Sequence, residues 1–217
     1  MSEFFIFAGP QAAGKTTIIE NINREFRHLS PFFRSKNPAL FPLQESRAIV
    51  SHTHMLLGGI FMRPEHEIAA VDCDFKRMDL ILERRPTRKI IHMDECNVFT
   101  LAHASAHGVH LAQSYWDEYI RRLKKLHAKI IFLDVPPDIS WERRQARYAE
   151  RLIYFHESRH GALMKRYRKY LETMHPLLKE LLERLPFPKK TINGTLPIGT
   201  VVQNVSQALR DLSTSLR

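Results

Sequence analysis

The sequence predicts an α/β fold built on a mostly parallel, five-stranded sheet flanked by helices. Three observations carry this expectation. Short, continuous apolar runs alternate with longer stretches of helical periodicity, as expected for strands buried on both faces and joined by crossover helices. The first run, Phe4-Phe5-Ile6-Phe7-Ala8, leads into a glycine-bounded loop and then a helix, the opening of a βαβ unit. The clearest run, Lys129 to Val135, stops at Pro136-Pro137, where proline has no N–H for a sheet ladder.

Taken in order, Phe4–Ala8 reads as a strand and Gly9–Gly14 as a loop. Lys15 to about His28 reads as a helix, with Ile18, Ile19, Ile22 and Phe26 at helical spacing. Ser30–Pro42 holds Pro31, Pro38 and Pro42 and reads as irregular, with a second strand near Phe32-Phe33-Arg34. Helices are expected over Glu45–Gly58, broken at Gly58-Gly59, and over Glu65–Arg84, followed by a turn at Arg85-Pro86-Thr87. Lys89–Met93 is the next strand and ends at Asp94-Glu95. Gly108 interrupts the helical stretch that follows, and Trp116–His127 is an amphipathic helix with a basic face. After the strand Lys129–Val135, a long helical region covers Ile139–Leu185, with breaks expected near Phe155–Gly161 and at Pro176. Thr191–Asn193 is a last short strand and Ile198–Leu212 a terminal helix.

A length of 217 residues points to a single domain over residues 1–217 and is enough to bury a core without staples. Hydrophobic residues at 44% and charged residues at 26% are ordinary for a folded globular protein, with disorder expected at most over Ser213–Arg217. Cys73 and Cys96 form no disulfide framework and read as reduced thiols. No apolar run approaches the roughly 20 residues that span a bilayer, and the N-terminus lacks the regions of a signal peptide. A cytoplasmic protein without membrane association is expected. The net charge of +10 points to a polyanionic ligand or partner. Basic residues gather between Arg121 and Lys190, mostly in helical segments. There is no aromatic–basic alternation of the kind that binds single strands, so a nucleic-acid partner is not favoured.

Ligands of parallel sheets bind at the carboxyl ends of the strands. After the first strand, Gly9-Pro10-Gln11-Ala12-Ala13-Gly14-Lys15-Thr16 fits G-x-x-x-x-G-K-[ST] in full. The glycines let backbone N–H groups converge on phosphate oxygens, and the helix starting at Lys15 adds its positive dipole end. Lys15 is expected to reach the β- and γ-phosphates and the Thr16 hydroxyl to ligate Mg²⁺. The motif predicts a three-layer P-loop nucleoside-triphosphatase fold that binds ATP with Mg²⁺. Its nucleotide contacts are expected at Gly9, Gln11, Ala12, Ala13, Gly14, Lys15, Thr16 and Thr17.

Asp94 and Glu95 close the strand Lys89–Met93. Phosphoryl transfer needs a carboxylate near the metal, and often another that orients or deprotonates the acceptor. Asp94 is the expected Mg²⁺ ligand and Glu95 the acceptor-side base, or the reverse; the plain alternative is a capping pair for the next helix. Arg143, Arg147 and Arg151 share one helix face, with Arg144 beside them. Such arginines stabilise charge on transferring phosphate; the plain alternative is a solvated basic face. Arg143 and Arg147 are the catalytic candidates and Arg144 a nucleotide-binding one. Arg159, Arg166 and Arg168 lie further on. His103, His107 and His110 have spacings of four and three but no cysteine or acid at helpful positions, so satisfied or surface histidines are the default reading, lining of an acceptor pocket comes next and a zinc site is a minor one.

With these residues in hand, the chain resembles the thymidylate kinase and deoxynucleoside kinase group. The phosphate loop, the strand-end acid Asp94 and the run Phe132-Leu133-Asp134-Val135-Pro136-Pro137-Asp138-Ile139-Ser140-Trp141-Glu142-Arg143-Arg144 are similar to their nucleotide side and the start of their lid. Tyr167 and Tyr170 resemble the aromatic that follows the lid. Ile192-Asn193-Gly194-Thr195, Pro197-Ile198 and Val201 resemble the last strand and helix, where a loop lies over adenine, which makes Asn193 a nucleotide-binding candidate. The resemblance implies a helical lid over about 139–170, a nucleoside or nucleotide acceptor and a homodimer. Asp94-Glu95-Cys96 departs from the Asp-Arg-Tyr and Glu-Arg-Ser motifs of the two families, and residues 30–90 match neither. Arg63 and Arg77 are acceptor-phosphate candidates by position. The reading is an ATP-dependent kinase; open alternatives are a sugar, metabolite or nucleic-acid-end acceptor, or a switch-type ATPase acting through a partner.

Overall fold

Residues Phe4 to Phe7 are at most 4% exposed, because the strand they form is the middle of a sheet covered on both sides. This strand is β1 (Glu3–Ala8). In the computed structural model the residues described are 3–25, 29–31, eight positions between 68 and 83, 90–94, 98–106, 108–150 and 157–213. Strands β2 (Leu29–Pro31), β3 (Ile90–Asp94), β4 (Ala128–Asp134) and β5 (Lys189–Asn193) complete a five-stranded sheet of order β2-β3-β1-β4-β5. Every pairing is parallel. Parallel neighbours require crossovers, and the helices supply them: α1 (Lys15–Glu25), α2 (Val98–Ala106), α3 (Gln113–Lys125), α4 (Pro137–Glu150), α5 (Glu157–Arg184) and α6 (Ile198–Leu212).

The pleat divides the apolar residues into two cores. Phe4, Ile6 and Ala8 of β1 and Ala128, Ile130 and Phe132 of β4 face one side, with α2, α3, α5 and the helical positions Val71, Phe75 and Met78. Phe5, Phe7, Ile131 and Leu133 face the other, against α1 and α6. The result is three layers, helix–sheet–helix. Arg122 of α3 ties the first layer together. Its guanidinium makes two 2.9 Å bonds to Asp79 and lies 4.6 Å from the Phe75 ring centre.

Most expected elements are present with ends moved by one to three residues, and the terminal helix keeps its expected bounds. The second strand lies at Leu29–Pro31, just before the Phe32–Arg34 segment assigned to it, and so includes Ser30 and Pro31, which were expected to be irregular. Proline is tolerated there because, among the described residues, β2 is an edge strand that pairs only with β3. The expected break at Pro176 does not occur. Leu171 and Met174 before it and Leu178, Leu181 and Leu182 after it are all buried, and this packing outweighs the one lost backbone bond. The expected helix over Glu45–Gly58 lies outside the described residues. Among the described residues no helix is long and apolar enough to cross a membrane.

Candidate active site

Between β1 and α1 the chain turns through Gly9–Gly14. Gly9 is a glycine for want of space: a Cβ there would stand 2.8 Å from the Leu133 carbonyl oxygen on β4. Gly14 adopts a left-handed φ of 86°, and Ala12 a φ of 59°, a conformation uncommon for residues with a side chain and characteristic of functional loops. The Ala13 amide donates to Pro10 O at 3.3 Å, and the Ile18 amide to Gly14 O at 3.0 Å, which starts α1. Lys15 is only 5% exposed. Its Nζ folds back across the loop and donates to Gly9 O and Pro10 O, both at 2.9 Å.

Around this loop, Ala13 is buried, Gln11, Ala12 and Thr16 are half-buried, and Thr17 is exposed, its carbonyl accepting from Asn21 Nδ2 at 2.8 Å. The loop fits a phosphate group: it is turned by two left-handed residues, seated against β4 with no room for a Cβ, and backed by a helix start and a buried ammonium. Asp94 is the last residue of β3 and is in register with Phe7 of β1, which brings its backbone beside the strand that feeds the loop. A hydroxyl and a carboxylate oxygen suit Mg²⁺, which keeps several ligands from water and phosphate. Glu95 lies outside the described residues. No group of three or more His, Cys, Asp or Glu suited to a metal occurs among the described residues. His110 is exposed and His107 lies outside them.

A second loop follows β5 on the far side of β4. The Gly194 amide donates to Asp134 O at 2.9 Å, and a Cβ on Gly194 would stand 2.5 Å from Val135 Cγ2. Asn193 Oδ1 accepts from the Thr195 amide at 2.9 Å and from Thr195 Oγ1 at 2.7 Å, so its side chain shapes its own turn. Arg143 Nη2, from the second turn of α4, donates to Gly194 O at 2.8 Å. Arg143 is thus joined to the loop that contains Asn193. Arg144 is half-buried beside it, and Arg147 lies one turn further along α4. Arg159 and Arg166 lie on α5, as does Arg168, whose Nε is 3.3 Å from Glu172 at the surface. Arg63 and Arg77 lie outside the described residues.

One cluster at this edge of the sheet carried no expectation. Asp134 closes β4, and its two carboxylate oxygens meet His175 Nε2 at 2.8 Å and Lys179 Nζ at 2.7 Å, both from α5. Burial alone would raise the pKa of Asp134, but hydrogen bonds from Lys179 and His175 outweigh it and hold the carboxyl below its ordinary value. The spacing of His175 and Lys179, one helical turn apart, was visible in the sequence; their pairing with a strand end was not.

No protein-family model matches the chain, and no curated protein matches it. Solved structures do. Deoxyadenosine kinase from M. mycoides, with products dCMP and a flexible dCDP bound, is 15% identical and superposes with a TM-score of 0.60, covering 96% of this chain and 99% of that one. The same kinase with bound dATP is 15% identical with a TM-score of 0.56, covering 95% and 99%. With bound dCTP it is 16% identical with a TM-score of 0.57, covering 96% and 99%. At such identities the likeness is one of fold alone: this chain shares the P-loop fold of those structures.

Proposed function

We propose that the protein is an ATP-dependent kinase that transfers the γ-phosphate to a nucleoside or nucleotide, as a single domain over residues 1–217 with a lid over about 139–170. The phosphate loop carries this reading: Lys15 is buried with its ammonium on the loop carbonyls of Gly9 and Pro10, poised to exchange them for phosphate oxygens. The likeness in fold to deoxyadenosine kinases and the lid-like run of arginines favour a small acceptor over a switch. As in the group the sequence resembles, a cytoplasmic homodimer is the assembly proposed.

In this reading the loop amides and Lys15 bind and orient the phosphates, and the cost of gathering charge there is met by fixed donors rather than by moving water. Thr16 and Asp94 would hold Mg²⁺, which supplies charge neutralisation across the phosphate oxygens when bound. Glu95 or Asp94 accepts the proton of the attacking hydroxyl. Arg143, Arg144 and Arg147 would stabilise charge that grows on the transferring group, and Arg143 also holds the Gly194 loop, beside which a base would lie. Closure of the lid excludes water and limits hydrolysis. Asp94-Glu95-Cys96 and the segment 30–90 set this chain apart from both related families, and the acceptor is expected to differ accordingly.

The test is ATP consumption with Mg²⁺ against nucleosides and nucleoside monophosphates, with a no-acceptor control. One acceptor should stimulate turnover strongly. Lys15→Met keeps the buried stem and should lower that turnover by about 100-fold or more while the protein still melts cooperatively. Equal slow hydrolysis with every acceptor, or an active Lys15→Met, would refute the proposal.

A further inference from the structure

A carboxylate at the ligand edge of a parallel sheet is ordinarily available to a ligand or a metal. Asp134 is differently placed, because one face of α5 occupies both its oxygens, His175 on Oδ1 at 2.8 Å and Lys179 on Oδ2 at 2.7 Å. That helix is fixed to the sheet by Met174, Leu178 and Leu182, each at most 4% exposed. The carboxylate therefore ties the last residue of β4 to a rigid body.

The same strand end is the wall against which both nucleotide-side loops are seated. Leu133 O limits the approach of Gly9, Asp134 O accepts the Gly194 amide, and Val135 Cγ2 lies where a Gly194 Cβ would stand. Three consecutive residues thus set the separation of the phosphate loop from the loop held by Arg143. We propose that Asp134, clamped by Lys179 and His175, is a positioning residue for nucleotide binding: it fixes the end of β4, and through it the spacing of the Gly9 and Gly194 loops. The inference rests on reading the Gly9–Thr16 loop as the nucleotide site. Lys179 is 42% exposed, and ion pairs this open contribute little to global stability, so breaking the clamp alters geometry more than folding.

The experiment is calorimetric titration of the full chain with ATP in the presence of Mg²⁺, with melting followed in parallel. Asp134→Asn raises the net charge by one, and Lys179→Met lowers it by one. A long-range charge effect on a polyanion would move the two affinities in opposite directions. A positioning role moves both the same way: each variant should bind ATP about fivefold more weakly, the double variant should be little worse than either single, and Lys179→Arg should restore binding. Opposite shifts, or unchanged affinity in both variants, overturn the inference. Failure of the unaltered protein to bind ATP would instead overturn the reading of the site.

Discussion

Gly194→Ala tests the seating of the second loop directly. The added Cβ would stand 2.5 Å from Val135 Cγ2 and 3.3 Å from Asp134 O, whereas carbon atoms rest at roughly 3.5–4 Å, so the parts must separate by about 1 Å. Val135 is fully buried among Leu133, Ile192 and Val201 and has nowhere to retreat. The loop must move instead, which stretches the Gly194 amide bond to Asp134 O and the Arg143 bond to Gly194 O. Overpacking costs about 1–3 kcal/mol, and loss of one such bond adds about 1 kcal/mol. A total of roughly 2–4 kcal/mol should lower the melting temperature by about 10 °C in a chain of this length. Gly199 is the control: it sits in the first turn of α6 with nothing within 4 Å of a Cβ, so Gly199→Ala should be neutral or raise stability by up to about 1 kcal/mol. Adding Val135→Ala to Gly194→Ala removes the clashing methyl and should recover part of the loss. Thermal and urea unfolding of the four proteins decide the matter. If Gly194→Ala melts within about 2 °C of the parent, the close approach is not as described.

Two further perturbations separate paired from solvated charge. Arg122 is largely buried, bonded twice to Asp79 and stacked over Phe75, so Arg122→Met should cost about 1–2 kcal/mol in urea unfolding. Arg121→Met, whose partner Glu118 is at the surface, should leave the midpoint unchanged; equal effects would refute the distinction. Asp134 gives a pH dependence of definite sign. Its folded pKa lies below the ordinary aspartate value because the hydrogen bonds of Lys179 and His175 exceed the upward push of burial, so its stabilisation is present above about pH 4 and is lost as the pH falls through the depressed folded value. The gap in melting temperature between the parent and Asp134→Asn should therefore be small, since Lys179 is half-exposed, widest near neutrality and closed in acid, and a gap that widens in acid would count against the clamp.

How far the sequence disclosed this molecule depended on how local each signal was. The Gly9–Thr16 motif is eight consecutive residues between an apolar strand and a helix, so its pattern could be matched residue by residue. The strands of β1 and β4 were equally plain, because burial on both faces demands unbroken apolar runs. The terminal helix was bounded by Pro197 before it and an apolar period within it. Elements at the edge behaved differently. β2 has one neighbour and three residues, so it shows neither an apolar run nor an alternation, and Pro31 argued against any strand there. Pro176 misled for a related reason, since its local penalty is real but the packing that overrides it comes from the sheet beneath α5. The Asp134 clamp joins a strand end to a helix distant in sequence, and no period or motif links them. Arg143 shows the same gap at closer range: its type and helix face were legible, but its bond to the Gly194 carbonyl required the fold.

The likeness to the M. mycoides kinase at 15% identity has a physical explanation in the same contrast. A parallel strand buried on both faces asks only for apolar residues of about the right volume, and cores accept many such sets. Identity can therefore fall far while the layers persist. The positions with no such latitude are those where two backbones touch. Gly9 against Leu133 O and Gly194 against Val135 admit no Cβ at all, and both contacts are made by the carboxyl end of β4. That strand end carries three constraints at once: it closes a core, walls two loops, and accepts a clamp from α5. Tolerance to substitution should accordingly be lowest there and not in the centre of the sheet. Within β4, Ile131 can exchange with valine at a cost of about 1 kcal/mol, whereas any side chain on either glycine displaces the loops seated against the end of that strand.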